Sequence, residues 1–124
     1  MPVRSLSSSV FAWPKRAEVA RALEAWTEAA VSQHPELLRL GCFGSFARGD
    51  WGMGSDLDLV AVVDSCDKPF ERRSVDWDLG GLPVPADLLV YTREEWERLQ
   101  QQGGRFAHTV THEATWLFSR PASS

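Results

Sequence analysis

Asp56 and Asp58 stand two apart at the head of an alternating run, with Leu57, Leu59, Ala61 and Val63 interleaved among Asp56, Asp58, Val60 and Val62. On a strand such residues point to one face about 6–7 Å apart, so the two carboxylates converge on one patch. No lysine or arginine alternates with them, and adjacent ionised carboxylates repel. A bound hard cation is their natural partner, and magnesium shared between carboxylate and phosphate oxygens is the leading candidate. A third aspartate, Asp87, precedes a second apolar run, Leu88-Leu89-Val90. A neighbouring strand lies only about 4.8 Å away, so three carboxylates can surround one or two metal ions. A plainer reading exists: Asp56 caps a loop, Asp58 pairs with Arg39 or Arg48, and Asp87 sits in a turn. The carboxylates alone do not choose between the two.

Upstream, the apolar run of residues 37–43 ends in Gly44-Ser45. A strand that ends in Gly-Ser and enters a helix presents free backbone N–H groups and a hydroxyl, the means by which proteins hold phosphate oxygens. Arg48, one helical turn beyond Ser45, is placed to reach the same anion. Two commoner nucleotide motifs are excluded. Gly49 is followed by Asp50 rather than the lysine of a Walker loop, and Gly52-x-Gly54 lacks the third glycine of a dinucleotide fingerprint.

These groups need a scaffold. Pro14 opens a helical pattern in which Val19, Ala20, Leu23, Trp26, Ala30 and Val31 recur at helical spacing up to His34 before Pro35. Residues 37–43 read as a strand, 46–50 as at most a short helix, 51–55 as a glycine loop and 56–63 as the clearest strand. Residues 64–83 are mixed, with a possible short helix at 69–74 and a break at Gly80-Gly81. A third strand is expected at 86–91. Thr92 with Glu95 forms a capping box for a helix over 93–102 that Gly103-Gly104 ends. Residues 106–118 read as a last helix, with or without a frayed end. The expected fold class is α/β, a small mixed β-sheet flanked by helices.

Composition bounds the rest. At 124 residues there is room for one domain, expected over 1–124 with a flexible N-terminus at 1–13 and a tail at 121–124. A net charge of −4 argues against a broad basic face, so direct nucleic-acid binding is not expected. No stretch approaches the roughly 18 apolar residues of a membrane span, and Ser7-Ser8-Ser9 falls where a signal peptide needs its apolar stretch. Cys42 and Cys66 show no paired spacing, so a reducing cytoplasm is the expected setting. Six tryptophans and six phenylalanines are many for this length, which makes a partner surface plausible. His108 and His112 share a helical face beside Glu113, but no further histidine completes a zinc pattern. Cys42 reads as a small buried strand residue, Arg72-Arg73 as a solvated loop, and Trp96 and Trp116 as core. Trp51, in the glycine loop, is the better candidate for contact with a base or a partner.

Gly44-Ser45, the ten residues of 46–55, then Asp56-Leu57-Asp58 resembles the Gly-Ser, ten-residue, Asp-x-Asp signature of the DNA polymerase beta-like nucleotidyltransferase superfamily. The segments GSFARGD and SDLDLVAVV look like its smallest members, the minimal nucleotidyltransferases, and PVPADLLVYTREEWERL matches where those carry their third carboxylate and following helix. The resemblance covers most of residues 37–118 and implies a polymerase beta-like palm fold. It implies that Gly44, Ser45, Arg48 and Ser55 bind the nucleotide, and that Asp56, Asp58 and Asp87 are the catalytic and metal-binding residues, holding two Mg2+ ions, with ATP as substrate. It also implies a partner. Minimal nucleotidyltransferases are commonly paired with a helical HEPN-type toxin and can act as antitoxins by transferring AMP to a toxin tyrosine, so a hetero-oligomer is expected. Within 124 residues no second, substrate-binding domain is expected, so the acceptor is expected to be presented by another molecule or by a second subunit. Two alternatives stay open: a binding module that neutralises its partner without turnover, and an enzyme whose acceptor is a small hydroxylated molecule such as an aminoglycoside.

Overall fold

Residues 14–52 and 54–120 are described by a computed structural model of the chain. The flexible N-terminus and tail expected at 1–13 and 121–124 lie outside the described residues. Helix α1 (Arg16–Gln33) starts where the Lys15 N–H donates to the Glu18 carboxylate at 3.1 Å. It stops just before His34-Pro35, since the residue preceding a proline is driven out of helical geometry. Strand β1 (Leu37–Phe43) follows, then a single helical turn, α2 (Ser45–Arg48), and strand β2 (Leu57–Val63). A crossover with 3-10 turns at Phe70–Asp76 and Leu79–Gly81 leads to β3 (Ala86–Thr92), α3 (Arg93–Gln102), α4 (Arg105–Glu113) and β4 (Thr115–Ser119).

The sheet order is β3-β2-β1-β4. β1 runs antiparallel to β2 and to β4, and β2 runs parallel to β3, so the sheet is mixed, as expected. Alternation along the strands builds two cores. Leu40, Cys42, Leu57, Leu59, Ala61 and Val63 pack one face against Val19, Leu23, Trp26 and Ala30 of α1 and against Trp77, Leu82 and Val84 of the crossover. Val60 and Val62 pack the other face against Trp96 of α3 and Val110 of α4, with Phe43, Tyr91, Phe106 and Trp116 at its margin. Trp26 also ties α1 to the crossover, its indole N–H donating to the Asp78 carbonyl at 2.6 Å. The capping box holds as read: the Glu95 N–H donates to Thr92 Oγ1 at 3.2 Å and the Thr92 N–H to Glu95 Oε1 at 3.0 Å.

Three expectations are corrected. Residues 106–118 are not one helix. α4 ends at Glu113, Ala114 is extended (φ −68°, ψ 139°), and Thr115–Ser119 pairs along β1. The physical cause is the otherwise open edge of β1, where Gly41 has no side chain and Trp116 lies over it: a Cβ added at Gly41 would meet the Trp116 ring at 2.7 Å. Arg73 is not solvated. It is buried, donating to the Lys68 and Val90 carbonyls and to both oxygens of Glu95, which fastens the crossover to the start of α3. Asp56 falls just before β2 rather than within it.

Candidate functional site

The strand register decides which side chains meet. Phe43 is opposite Asp58 across the antiparallel pair, and Asp58 is opposite Asp87 across the parallel pair, so the three form one row across the end of the sheet. Gly44 comes directly after Phe43 and turns the chain with φ +77°, a conformation that side chains with a Cβ disfavour. A Cβ at Gly44 would collide with Oδ2 of Asp58, so the glycine also leaves room for the carboxylate against the turn. Ser45 then opens α2, whose first N–H groups have no intrahelical acceptor.

Asp58 is half-buried while Asp56 and Asp87 are exposed. Burial raises the Asp58 pKa above the usual carboxylate value, and the charges of Asp87 and then Asp56 raise it further, with Arg48 opposing them. The charged form of Asp58 is therefore disfavoured by its own burial and by the two neighbouring carboxylates. Among the described residues, no three His, Cys, Asp or Glu side chains are close enough to enclose a metal by themselves. An all-oxygen set that is short of positive charge and open on one side fits magnesium, which usually takes one or two carboxylates and completes its shell with water and substrate phosphates.

The plainer reading of the aspartates holds in part: Asp56 does lie at the end of the loop before β2, and the charge of Arg48 is felt at Asp58, but the rest of it does not hold. Asp87 lies within β3 and not in a turn. Arg39 lies over the Trp116 ring at 3.8 Å, next to Val62 rather than Asp58. Arg48 is exposed and bonded to Asp50 at 3.0 Å and Glu113 at 3.2 Å. Ser55 closes the glycine loop, its Oγ accepting from the Gly52 N–H at 3.1 Å. Trp51 is engaged in packing: its indole N–H donates to the Pro14 carbonyl at 3.0 Å and its ring meets Phe46 edge to face at 5.4 Å.

Sequence reasoning missed two contributors. Arg16, at the start of α1, donates to the Phe46 carbonyl at 3.1 and 3.3 Å and lies over the Phe46 ring at 4.4 Å, which anchors α2. No local pattern signals this contact, because thirty residues separate the partners. Phe43 and Phe106 border a cavity of about 430 Å³ that also exposes Asp58 and Asp87. The position of Phe43 directly before the Gly-Ser turn was the available clue.

Comparison with known proteins bears on the family and the fold. The model of the nucleotidyltransferase domain family matches residues 25–118. No significant match is found among curated proteins. Among solved structures, a candidate nucleotidyltransferase from Sulfolobus solfataricus is similar at 19% identity, over 89% of this chain and 93% of that one, with a TM-score of 0.61. A mutant of the toxin-antitoxin MntA-HpeT is similar at 16% identity, over 77% of this chain and 70% of that one, with a TM-score of 0.51. At these identities the likeness is one of fold.

Proposed function

The chain belongs to the nucleotidyltransferase domain family, and from that premise we propose that it is an antitoxin that transfers AMP from ATP to a tyrosine hydroxyl of a helical HEPN-type toxin. The observation that carries the catalytic part is the placement of Asp58 and Asp87 in one row against the Gly44-Ser45 turn. Such a row gathers negative charge where a nucleotide's phosphates and their counter-ions would sit.

In this reading the N–H groups and hydroxyl at Gly44 and Ser45 receive the triphosphate, and Arg48 exchanges Asp50 and Glu113 for a phosphate oxygen. Ser55 holds the loop that delivers Asp56. Asp56, Asp58 and Asp87 would hold magnesium together with substrate phosphate oxygens and water, and the bound ion would supply charge neutralisation at the attacking and leaving oxygens. Asp87 accepts the proton as the acceptor oxygen bonds to the α-phosphorus, the bond from that phosphorus to the bridging oxygen breaks, and pyrophosphate leaves. Burial and the neighbouring charges of Asp87 and Asp56 leave Asp58 in want of a cation.

The antitoxin part is supported by the resemblance of GSFARGD and SDLDLVAVV to minimal nucleotidyltransferases, and by a similar fold having been solved in a toxin-antitoxin. The test is to co-express the chain with the product of the adjacent reading frame and to incubate the purified proteins with ATP and magnesium. Intact mass is read for each chain. A partner that co-elutes and gains AMP only with magnesium is the expected result. Co-elution without mass gain would favour neutralisation by binding alone, and AMP transfer to an aminoglycoside with no partner would favour a small-molecule enzyme.

A further inference from the structure

Two of the three histidines of the chain stand together, away from the carboxylate row. His108 and His112 are one turn apart on α4, both exposed, with ring centroids 4.0 Å apart and planes tilted by 31°. They border a second cavity of about 430 Å³ with Gln100, Gly104 and Thr111, and none of its lining residues is shared with the cavity at Asp58 and Asp87. The hydrogen bonding of the pair selects a tautomer. His112 Nδ1 lies 2.9 Å from the His108 carbonyl oxygen. A carbonyl only accepts, so Nδ1 carries the proton and the lone pair of the neutral ring is left on Nε2. A ring held in this way, by its other nitrogen on a backbone carbonyl, is the usual state of a metal-binding histidine. We propose that His108 and His112 together bind a divalent transition ion of the zinc, nickel or copper type, and that the ion clamps one turn of α4.

The spacing suits one shared ion. Two nitrogens at the usual bond length of about 2.0–2.1 Å from zinc stand no more than about 4.2 Å apart. The two rings already lie at that separation. Among the described residues no third His, Cys, Asp or Glu side chain joins them. The remaining positions therefore fall to water, for which the cavity has room beside the Thr111 hydroxyl and the Gln100 amide oxygen, bonded to each other at 2.9 Å. No lysine or arginine lines the cavity to repel a cation. Imidazole selects the ion, because magnesium takes carboxylate and phosphate oxygens whereas zinc, nickel and copper accept nitrogen.

The helix gains from a clamp. α4 is nine residues long, follows two glycines at positive φ, and has as its N-cap Gly104, which offers no side chain to its first N–H groups. Helices this short are marginal by themselves, because nucleation fixes several residues before many hydrogen bonds form. An ion shared across one turn needs that turn to be helical, so binding favours the folded turn by linkage. The same turn ends one residue before Glu113, whose carboxylate bonds Arg48 at 3.2 Å.

The experiment titrates zinc chloride into the full chain with magnesium in excess, and follows the histidine ring nitrogens by long-range proton–nitrogen NMR. Saturable shifts at Nε2 of both His108 and His112 are expected, with affinity at least tenfold weaker in His108→Gln and in His112→Gln. Both positions are exposed, so neither substitution disturbs the core. His34, stacked on Trp77 with Nδ1 bonded to Glu36, is the internal control. Zinc should also slow hydrogen exchange of the α4 amides in the parent and in neither variant. A shift at only one of the two rings, or less than a tenfold loss in either variant, would overturn the shared site. Equal movement at His34 would mark adventitious zinc and overturn it as well. Exchange in α4 that zinc leaves unchanged in the parent would overturn the clamp.

Discussion

Asp58 holds a charge that its surroundings oppose, through burial first and then the carboxylates of Asp87 and Asp56. Its folded pKa is raised, so the folded state keeps a proton that the unfolded chain has already lost. The site is therefore most favourable to folding at low pH and loses stability as pH rises above the ordinary value of 3.8. Asp58→Asn is expected to raise Tm at pH 7 by a few degrees in chelator, as read by calorimetry. Magnesium should raise Tm in the parent and not in Asp56→Asn/Asp58→Asn, a variant that should also abolish AMP transfer. Ser45→Ala should weaken ATP by roughly tenfold or more, since one charge-assisted hydrogen bond is worth about 1.5–3 kcal/mol. Its Tm should stay near that of the parent. Unchanged ATP affinity in isothermal titration would make Ser45 a turn residue only.

At the scale of elements, two joints hold the frame around the site. Arg73 is 8% exposed and Glu95 35% exposed, and their double hydrogen bond locks the crossover to α3. The Arg73 contact, together with the Thr92 cap, holds the Glu95 pKa down to about 2. A depressed carboxyl contributes stability above its unfolded pKa and loses it as pH falls toward the folded one. Glu95→Gln should cost about 1–3 kcal/mol at pH 7, less than a fully buried pair because the carboxylate is partly solvated. In urea titrations the gap from the parent should close between about pH 4.5 and 2. The second joint is Trp116 on Gly41. Gly41→Val should cost about 1–3 kcal/mol by overpacking and loosen β4, seen as lost near-ultraviolet tryptophan dichroism.

For the whole molecule, binding and catalysis should separate. The family places nucleotidyl transfer in the domain, whereas association with a partner would depend on surface beyond the carboxylate row. With Asp56→Asn/Asp58→Asn the partner should still co-elute in size exclusion while its mass no longer rises. If both are lost together, the carboxylates belong to the interface. No helix among the described residues is long and apolar enough to cross a membrane. With a net charge of −4, the chain should retain little affinity for duplex DNA at physiological salt, measured by fluorescence anisotropy.

What could be read from the sequence was what neighbouring residues settle among themselves. The Thr92-Glu95 cap, the α1 repeat and the alternation of β2 come from bonds and faces a few residues apart, and the Gly-Ser and Asp-x-Asp spacing lies within one short segment. The sequence therefore announced the nucleotidyltransferase motif and most of the elements that carry it. What only the tertiary structure decided were pairings across long separations. Asp87 reaches Asp58 because the crossover returns β3 parallel to β2 in one register rather than another. Thr115–Ser119 is a strand because β1 has an edge to fill and Gly41 leaves room for Trp116. Arg73 is buried because Glu95 and the Val90 carbonyl receive it, and Arg16 finds Phe46 across thirty residues. Such contacts gain their energy from partners that no local pattern names, so local propensity cannot foretell them.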